Sequence, residues 1–577
     1  MNILGFASLN HDPTVALVQD GTLTTAIESE KVTRSKHEIN VFPERAIHAV
    51  LEQAAIAFRD IDAIATNYAP GLRANRFFLP HLFQMLRARK LDLGAIASTL
   101  IIKGAHSPSM FRMLNQERLP PIVPVKHHRA HLAMSFLGSP WDDAAVAIID
   151  AAGELECSSL WHCSGRKVAF LGAMTIPADS LGSVYMVTTR HLGFKMIGDE
   201  YKVMGLAPYG GPNQRFRDFF ERLVRLEPEG RYRVDPRLLG AVFDAGWRFP
   251  PAALALIGPG REPGSEMTDD HRDLAFELQR RLEESVLHVV RHLRRKSGAR
   301  RLCLGGGVAL NCVANGRVLA ESGFDEVFVP PAPHDAGTAA GAALHHHYYD
   351  RGLGRPAPLV HPYLGLGQDD TQIEAELVRS KLAYSRPDNV AEAAADAIES
   401  GLVIGWFQGR AEFGPRALGN RSILADPRRA DNRDRVNRLV KEREGFRPFA
   451  PAILEEEAEA WFENVTRSPW MLFVDKVRSD RRDQIPAVVH VDGTARPQTV
   501  GSENPLFQQL LAAFQRRTGI PLLLNTSFNV AGEPIVNTPA DALRCFHASG
   551  LDALFVGPFL LCKPTVDWRP RATAAVP

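Results

Sequence analysis

Apolar residues in this chain fall into short runs separated by polar turns, and their spacing alternates between the periods of strands and of helices. "NILGFA" predicts a first strand, and "HDPTVALVQDGTLTTAIESEK" predicts a hairpin turning at Asp20-Gly21 between two β-prone runs. "FPERAIHAVLEQAAI" then has helical spacing. "AAVAIIDAAGELECSSLWHC" repeats the strand–turn–strand pattern, so the N-terminal part holds two copies of one motif. Residues 272–296 predict a long amphipathic helix with a solvated polar face, feeding an apolar strand that ends in Gly305-Gly306-Gly307. "DEVFVPPAPHDAGTAAGAALHHHYY" follows as strand, proline-rich loop and small-residue helix, with the triplet His345–His347 expected on a helix surface.

The stretch 351–368, "RGLGRPAPLVHPYLGLGQ", concentrates Gly and Pro and divides the chain into domains 1–360 and 361–577. Beyond it, "GLVIGWFQGR" and "IPLLLNTSFN" predict strands entering polar loops, and Thr538, Pro539 and Asp541 mark a capped helix start.

Composition narrows this α/β picture. A chain of 577 residues exceeds one hydrophobic core. Lys+Arg 67 against Asp+Glu 66 excludes wholesale polyanion binding but leaves room for a local basic pocket. No charged leader precedes the first apolar stretch and no apolar run reaches transmembrane length, so a cytoplasmic protein is expected. The six cysteines form no CxxC pair, which predicts buried free thiols.

Four clusters carry candidate chemistry. In "VPVKHHRAHLAMSF", His127 and His131 share a helix face and His128 sits about 100° away. Twenty histidines would give roughly 0.7 such pairs by chance, so the spacing leaves metal ligation, catalysis and coincidence open. "HHRAH" lacks the glutamate that a zincin helix uses as base. Oxygen ligands would have to come from elsewhere, and Asp150, ending "AVAIID", and Asp335, after "PPAPH", are the candidates. Two imidazoles with two carboxylates suit Fe(II), Mn or Zn better than Mg or Ca. The second cluster is "GGGVALN", a phosphate cradle or a tight turn, and the third is "GDEYKVMGLAPYGG", an anion loop or a shaped one. The fourth is the region 409–447, with eleven Arg or Lys against six acids. Its "FGPRALGNRS" and "FRPFAP" set arginines among Gly, Pro and Phe, as in a pocket for phosphate or carboxylate groups.

These motifs occur together, in order, in one family. On "HDPTVALVQDG", "ESEKVTRSKHE", "HHRAH", "DAAGE", "EYKVMGLAPYG", "GGGVALN", "PPAPHDAGTAAGAA", "EFGPRALGNRS", "FRPFAP" and "LNTSFN", the chain resembles, nearly end to end, the O-carbamoyltransferases. These include nodulation protein U and the enzymes that carbamoylate tobramycin, cephamycin and novobiocin-type antibiotics. The resemblance implies an actin-like (ASKHA) duplicated domain, similar to that of tRNA threonylcarbamoyl transferases, followed by a YrdC-like α/β domain. It implies that carbamoyl phosphate and ATP, with Mg, give carbamoyl-adenylate in the second domain. The carbamoyl group then passes to the hydroxyl of a small acceptor, a secondary metabolite, at an Fe(II) site in the first, with AMP leaving.

Carried over by position, the metal ligands become His127, His131, Asp150 and Asp335. The adenylate contacts become His11 and Lys36, with Gly306, Val308 and Asn311, and His11 is the expected general base. The carbamoyl phosphate and ATP pocket becomes Arg416, Lys441, Arg447, Arg496, Asn525, Ser527 and Asn529. Two positions depart from the family pattern: Ala151 replaces the usual glycine after the ligand aspartate, and Lys31 replaces a common arginine. A tRNA-modifying relative is disfavoured by the neutral charge, and a hydrogenase-maturation relative by the missing cysteine zinc modules. An actin-like ATPase or interaction module without transferase chemistry is disfavoured by the His/Asp set and the arginine pocket. Neither nucleic acid nor membrane is expected as a partner; a homodimer is.

Overall fold

The computed structural model describes residues 1–7, 11–39, 41–67, 119–175, 179–240, 247–438, 444–465 and 467–569. The chain folds into two compact units, one of Met1–Glu30 with His37–Leu359, the other of Lys31–Lys36 with Val360–Pro577. The main break falls inside the Gly/Pro-rich stretch, between Leu359 and Val360.

Among the described residues, the first unit holds two five-stranded sheets of one order. In the first, β1 (Asn2–Ala7) pairs antiparallel with β2 (Thr14–Gln19), and β2 with β3 (Thr22–Glu28). On its other side β1 runs parallel to β4 (Ala63–Thr66), and β4 to β5 (Ile122–Pro124). The second sheet repeats this, with β6 (Asp143–Ile149) antiparallel to β7 (Glu156–Ser164) and β7 to β8 (Lys167–Thr175). A short hairpin, β9 (Val224–Glu227) with β10 (Arg231–Val234), stands apart. Then β11 (Arg301–Gly305) runs parallel to β6, and β12 (Glu326–Phe328) to β11. The repeated motif in the sequence is thus a repeated mixed α/β sheet. The first hairpin turns through Asp20 and Gly21, both at positive φ, as a two-residue turn requires.

Two local expectations change. The helix Asp269–Ser297 forms as predicted, but Glu277 on its polar side is fully buried. Its carboxylate accepts from the Asn213 N–H and from Arg280, so charge pairing rather than solvent satisfies that face. His346 and His347 are buried rather than on a helix surface, the latter ring bonded at Nε2 to the Gly354 carbonyl.

The second unit is built on a seven-stranded mixed sheet among its described residues. Its centre is β14 (Arg421–Ala425), antiparallel to β13 (Ile404–Phe407). Outward from β14 the order continues through β19 (Leu522–Ser527), β15 (Ala450–Leu454) and β18 (Gln498–Val500). On the far side lie β20 (Ala553–Val556) and β21 (Phe559–Cys562), and β16 (Asp475–Lys476) with β17 (Thr494–Ala495) forms a small separate ladder. Thr538 caps the helix Pro539–Ala548 in the expected reciprocal arrangement with Asp541. Among the described residues no helix is long and apolar enough to cross a membrane, and all six cysteines are free, five of them buried.

Candidate metal centre

The helix His127–Leu137 presents His127 and His131 one turn apart, as their spacing predicts. Its first turn is anchored by Glu154, whose carboxylate oxygens accept from the His127 backbone N–H at 2.9 and 3.2 Å. A carboxylate there also complements the positive end of the helix. The small-residue helix Asp335–His345 packs directly against it. A Cβ added to Gly341 would lie 2.0 Å from the Ala130 carbonyl oxygen, so only glycine permits this approach. Backbone contact of that kind is what sets Asp335, in the first turn, against both imidazoles.

Asp150 follows the end of β6, and its two oxygens divide the work. Oδ1 accepts from the N–H groups of Ala151 (2.8 Å) and Gly307 (3.1 Å), leaving Oδ2 to face the histidines. The triple glycine therefore orients Asp150. Gly306, at φ 87°, lies so close to β6 that a Cβ would sit 2.3 Å from the Ile149 carbonyl oxygen, and its N–H donates to Pro333 O at 2.9 Å. One tight turn thus ties the strand carrying Asp150 to the loop leading into Asp335. The methyl group of Ala151 is accommodated because Gly182 faces it: a Cβ there would fall 3.1 Å from that of Ala151.

The four side chains converge. His127 Nε2 and His131 Nε2 are 3.1 Å apart, and each is 3.2 Å from Asp150 Oδ2. Asp335 Oδ1 lies 3.3 and 3.5 Å from the same two nitrogens. All four residues are buried, and their donor atoms lie within 4.8 Å of one another. Two ring nitrogens and two carboxylate oxygens gathered in this way could hold a shared cation, and such a donor set would suit Fe(II), Mn or Zn. Burial opposes charge on His131, but hydrogen bonds to Asp150 and Asp335 outweigh it and raise its pKa. Burial likewise opposes ionisation of Asp150 and Asp335, yet the imidazoles hold both below the usual carboxylate range. His128 stands outside the cluster, 2.7 Å from Ser159 Oγ, and burial reinforced by His127 pushes it down to about 3.

His11 borders the centre, with Nε2 3.7 Å from Asp335 Oδ2. Its Nδ1 lies 3.1 Å from Asp12 Oδ2, and Asp12 Oδ1 is 3.6 Å from His37 Nδ1. Asp12 and His37 both adopt left-handed backbone, strain of the kind that marks functional positions. Burial disfavours the charge on His11, but Asp12 and Asp335 outweigh it and push its pKa up to about 9. Sequence reasoning did not single out Asp12, His37 or Glu154.

The remaining predicted residues separate. Lys36 belongs to the second unit with the segment Lys31–Lys36. Val308 lies in the short turn Gly307–Leu310 after the glycines. Asn311 caps the helix Cys312–Glu321 through Ala314 N (3.0 Å) and exchanges hydrogen bonds with the Gln279 amide, so its polar atoms have structural partners.

In the second unit, Asn525 Nδ2 donates to Gln498 Oε1 (2.9 Å) and to Ala417 O (3.4 Å), joining the Arg416 loop to the strand that follows Arg496. Asn525 pairs in the sheet with Ala450, three residues beyond Arg447. Ser527 donates to Asn529 Oδ1 at 2.7 Å. Lys441 lies outside the described residues. Part of the basic run has other work: Arg421 is fully buried over the Phe407 ring, donating to the carbonyls of Gln408 and Asn420, while Arg428 pairs with Asp426 and Arg435 with Asp552.

The chain matches family models described as carbamoyltransferase N-terminus, over residues 2–344, and carbamoyltransferase C-terminus, over residues 395–563. It is similar to nodulation protein NolNO of Sinorhizobium fredii, 42% identical over 98% of this chain and 82% of that one. Nodulation protein NolO of Bradyrhizobium diazoefficiens is 45% identical over 78% of this chain and 82% of its own length. Nodulation protein U of Sinorhizobium fredii is 28% identical over 94% and 96%. Among solved structures, component A of the Acidaminococcus fermentans (R)-2-hydroxyglutaryl-CoA dehydratase is a distant likeness, with 13% identity and TM-score 0.31 over 60% of this chain and 97% of that one.

Proposed function

Since the chain belongs to the carbamoyltransferase family, we propose that it uses ATP and carbamoyl phosphate to carbamoylate a hydroxyl of a small-molecule acceptor. On this reading the second unit, YrdC-like in its chemistry, forms carbamoyl-adenylate from carbamoyl phosphate, water and Mg-bound ATP, with release of phosphate and pyrophosphate. The first unit, actin-like in its duplicated sheets, then transfers the carbamoyl group and releases AMP. The observation that carries the reading is the buried convergence of His127, His131, Asp150 and Asp335.

A carbamoyl group is stabilised by resonance, and adenylation supplies the better leaving group that transfer needs. His127 Nε2, His131 Nε2, Asp150 Oδ2 and Asp335 Oδ1 would hold a divalent ion, Fe(II) by family resemblance. Such an ion supplies Lewis acidity to the carbamoyl or phosphate oxygens. Around it, the Ala151 and Gly307 amides keep Asp150 Oδ2 turned inward. His11 handles the proton: protonated, it donates to the departing phosphate oxygen, and with the charges of Asp150 and Asp335 neutralised it takes the proton of the acceptor hydroxyl. Asp12 at Nδ1 fixes which His11 nitrogen faces the reaction. Arg416, Arg447 and Arg496 supply guanidiniums for the phosphates of carbamoyl phosphate and ATP. A secondary metabolite is the acceptor class this reading favours.

The test is to incubate the chain with ATP and carbamoyl phosphate, with and without hydroxylated acceptors. Pyrophosphate release that requires carbamoyl phosphate, followed by acceptor-dependent AMP release and a carbamoyl mass increment on the acceptor, is expected. Pyrophosphate release indifferent to carbamoyl phosphate rejects the reading.

A further inference from the structure

The chain leaves the first unit after Glu30 and returns to it at His37, and the intervening Lys31–Lys36 belongs to the second unit. The root of this excursion is closed within the first unit, where the His37 N–H donates to Glu30 Oε2 at 2.8 Å. Its far end is held just as firmly within the second. Lys31 is buried, and its ammonium donates to the carbonyl oxygens of Glu412 (2.8 Å) and Gly414 (2.9 Å). Arg34 donates to Pro534 O at 2.8 Å and lies 3.4 Å from Asp541 Oδ1.

The two carbonyls that Lys31 holds open the loop that carries Arg416. The same loop is gripped from inside by the Glu412 carboxylate, whose Oε1 accepts from the N–H groups of Leu418 (2.7 Å), Asn420 (2.9 Å) and Arg421 (3.1 Å). Glu412 itself is buried. Carbonyls turned out to an ammonium and amides turned in to a carboxylate define both faces of one short backbone segment. Charge-assisted bonds of this kind are among the stronger ones available to hold it.

We propose that Lys31 is a positioning residue for the Arg416 loop, so that a residue from the N-terminal part of the sequence serves the anion-binding step of the C-terminal unit. The inference rests on the proposed function for what Arg416 binds, but its geometric half stands apart from that. Arginine at position 31 could donate to the same two carbonyls, whereas methionine keeps the stem and removes every donor.

The experiment compares the full chain with Lys31→Met and Lys31→Arg. Amide hydrogen exchange is read over residues 412–421, and carbamoyl-phosphate-dependent pyrophosphate release is measured against carbamoyl phosphate concentration. Lys31→Met is expected to exchange faster in that loop and to raise KM for carbamoyl phosphate by about tenfold with a smaller change in kcat, and Lys31→Arg to restore both. Unchanged exchange over 412–421 in Lys31→Met overturns the proposal whatever the activity. So does faster exchange with an unchanged KM. Equal impairment of both variants with a lowered Tm also overturns it, by showing a role in stability alone. A wild-type chain that releases no pyrophosphate rejects the functional reading, and with it the assignment of anion binding to this loop.

Discussion

The two units hold charge in opposite ways. In the first, four side chains from three stretches of the chain turn their donor atoms onto one point: two ring nitrogens 3.1 Å apart, with a carboxylate oxygen of Asp150 and one of Asp335 beside both. In the second, the charged groups lie along loops and most of those with visible partners are matched locally, Arg421 by backbone carbonyls and Arg428 and Arg435 by carboxylates. A buried convergence of imidazoles and carboxylates of this kind could hold a metal ion. Local matching of this kind marks a scaffold.

This contrast can be broken most sharply by removing one member of the convergent set. His127→Ala should abolish carbamoyl transfer, by more than about a hundredfold, and deplete bound transition metal in elemental analysis, while pyrophosphate release persists. Loss of both half-reactions together would show that the units do not divide the chemistry. The mirror experiment is Arg416→Met, which should depress carbamoyl-phosphate-dependent pyrophosphate release by roughly tenfold to a hundredfold and leave metal content untouched. A smaller effect follows from the anchor of the histidine helix. Glu154→Gln leaves every proposed ligand in place, so metal affinity, read by competition with a chelator, should fall by about tenfold. Unchanged affinity would mean that helix packing alone orients His127.

The smallest expected effect is on stability against pH. The pKa of His11 in the folded chain is raised above its ordinary value of 6.5, to about 9. Its contribution is therefore fully present below pH 6.5 and is lost as pH rises through about 9. In chelator-treated protein, Tm should decline across that window, and His11→Asn should flatten the decline; an identical slope in both would remove His11 as the source.

Much of the fold was legible in the sequence because strands, turns and caps are local. The Asp20-Gly21 turn, the Thr538 cap and the long helix over 269–297 follow from residues within a few positions of one another. Family resemblance named the four convergent residues, whereas spacing alone left His127 and His131 at the level of chance. What stayed hidden had long-range causes. Glu277 is buried because Asn213 and Arg280 satisfy it, His347 because the Gly354 carbonyl meets its ring, and the pKa of His11 is raised because Asp12 and Asp335 face it.

By itself, then, the sequence determined the alternation of elements and the repeated hairpin, and it nominated two histidines and two aspartates as candidate metal ligands. Tertiary structure decided which oxygen of Asp150 faces the histidines, that the triple glycine orients that aspartate, and that Lys31 belongs with a loop 381 residues away. The physical reason is the range of the interactions. Backbone propensity and capping act over one or two turns, whereas the orientation of a carboxylate or the burial of an ammonium depends on groups that only the folded chain brings within hydrogen-bond distance.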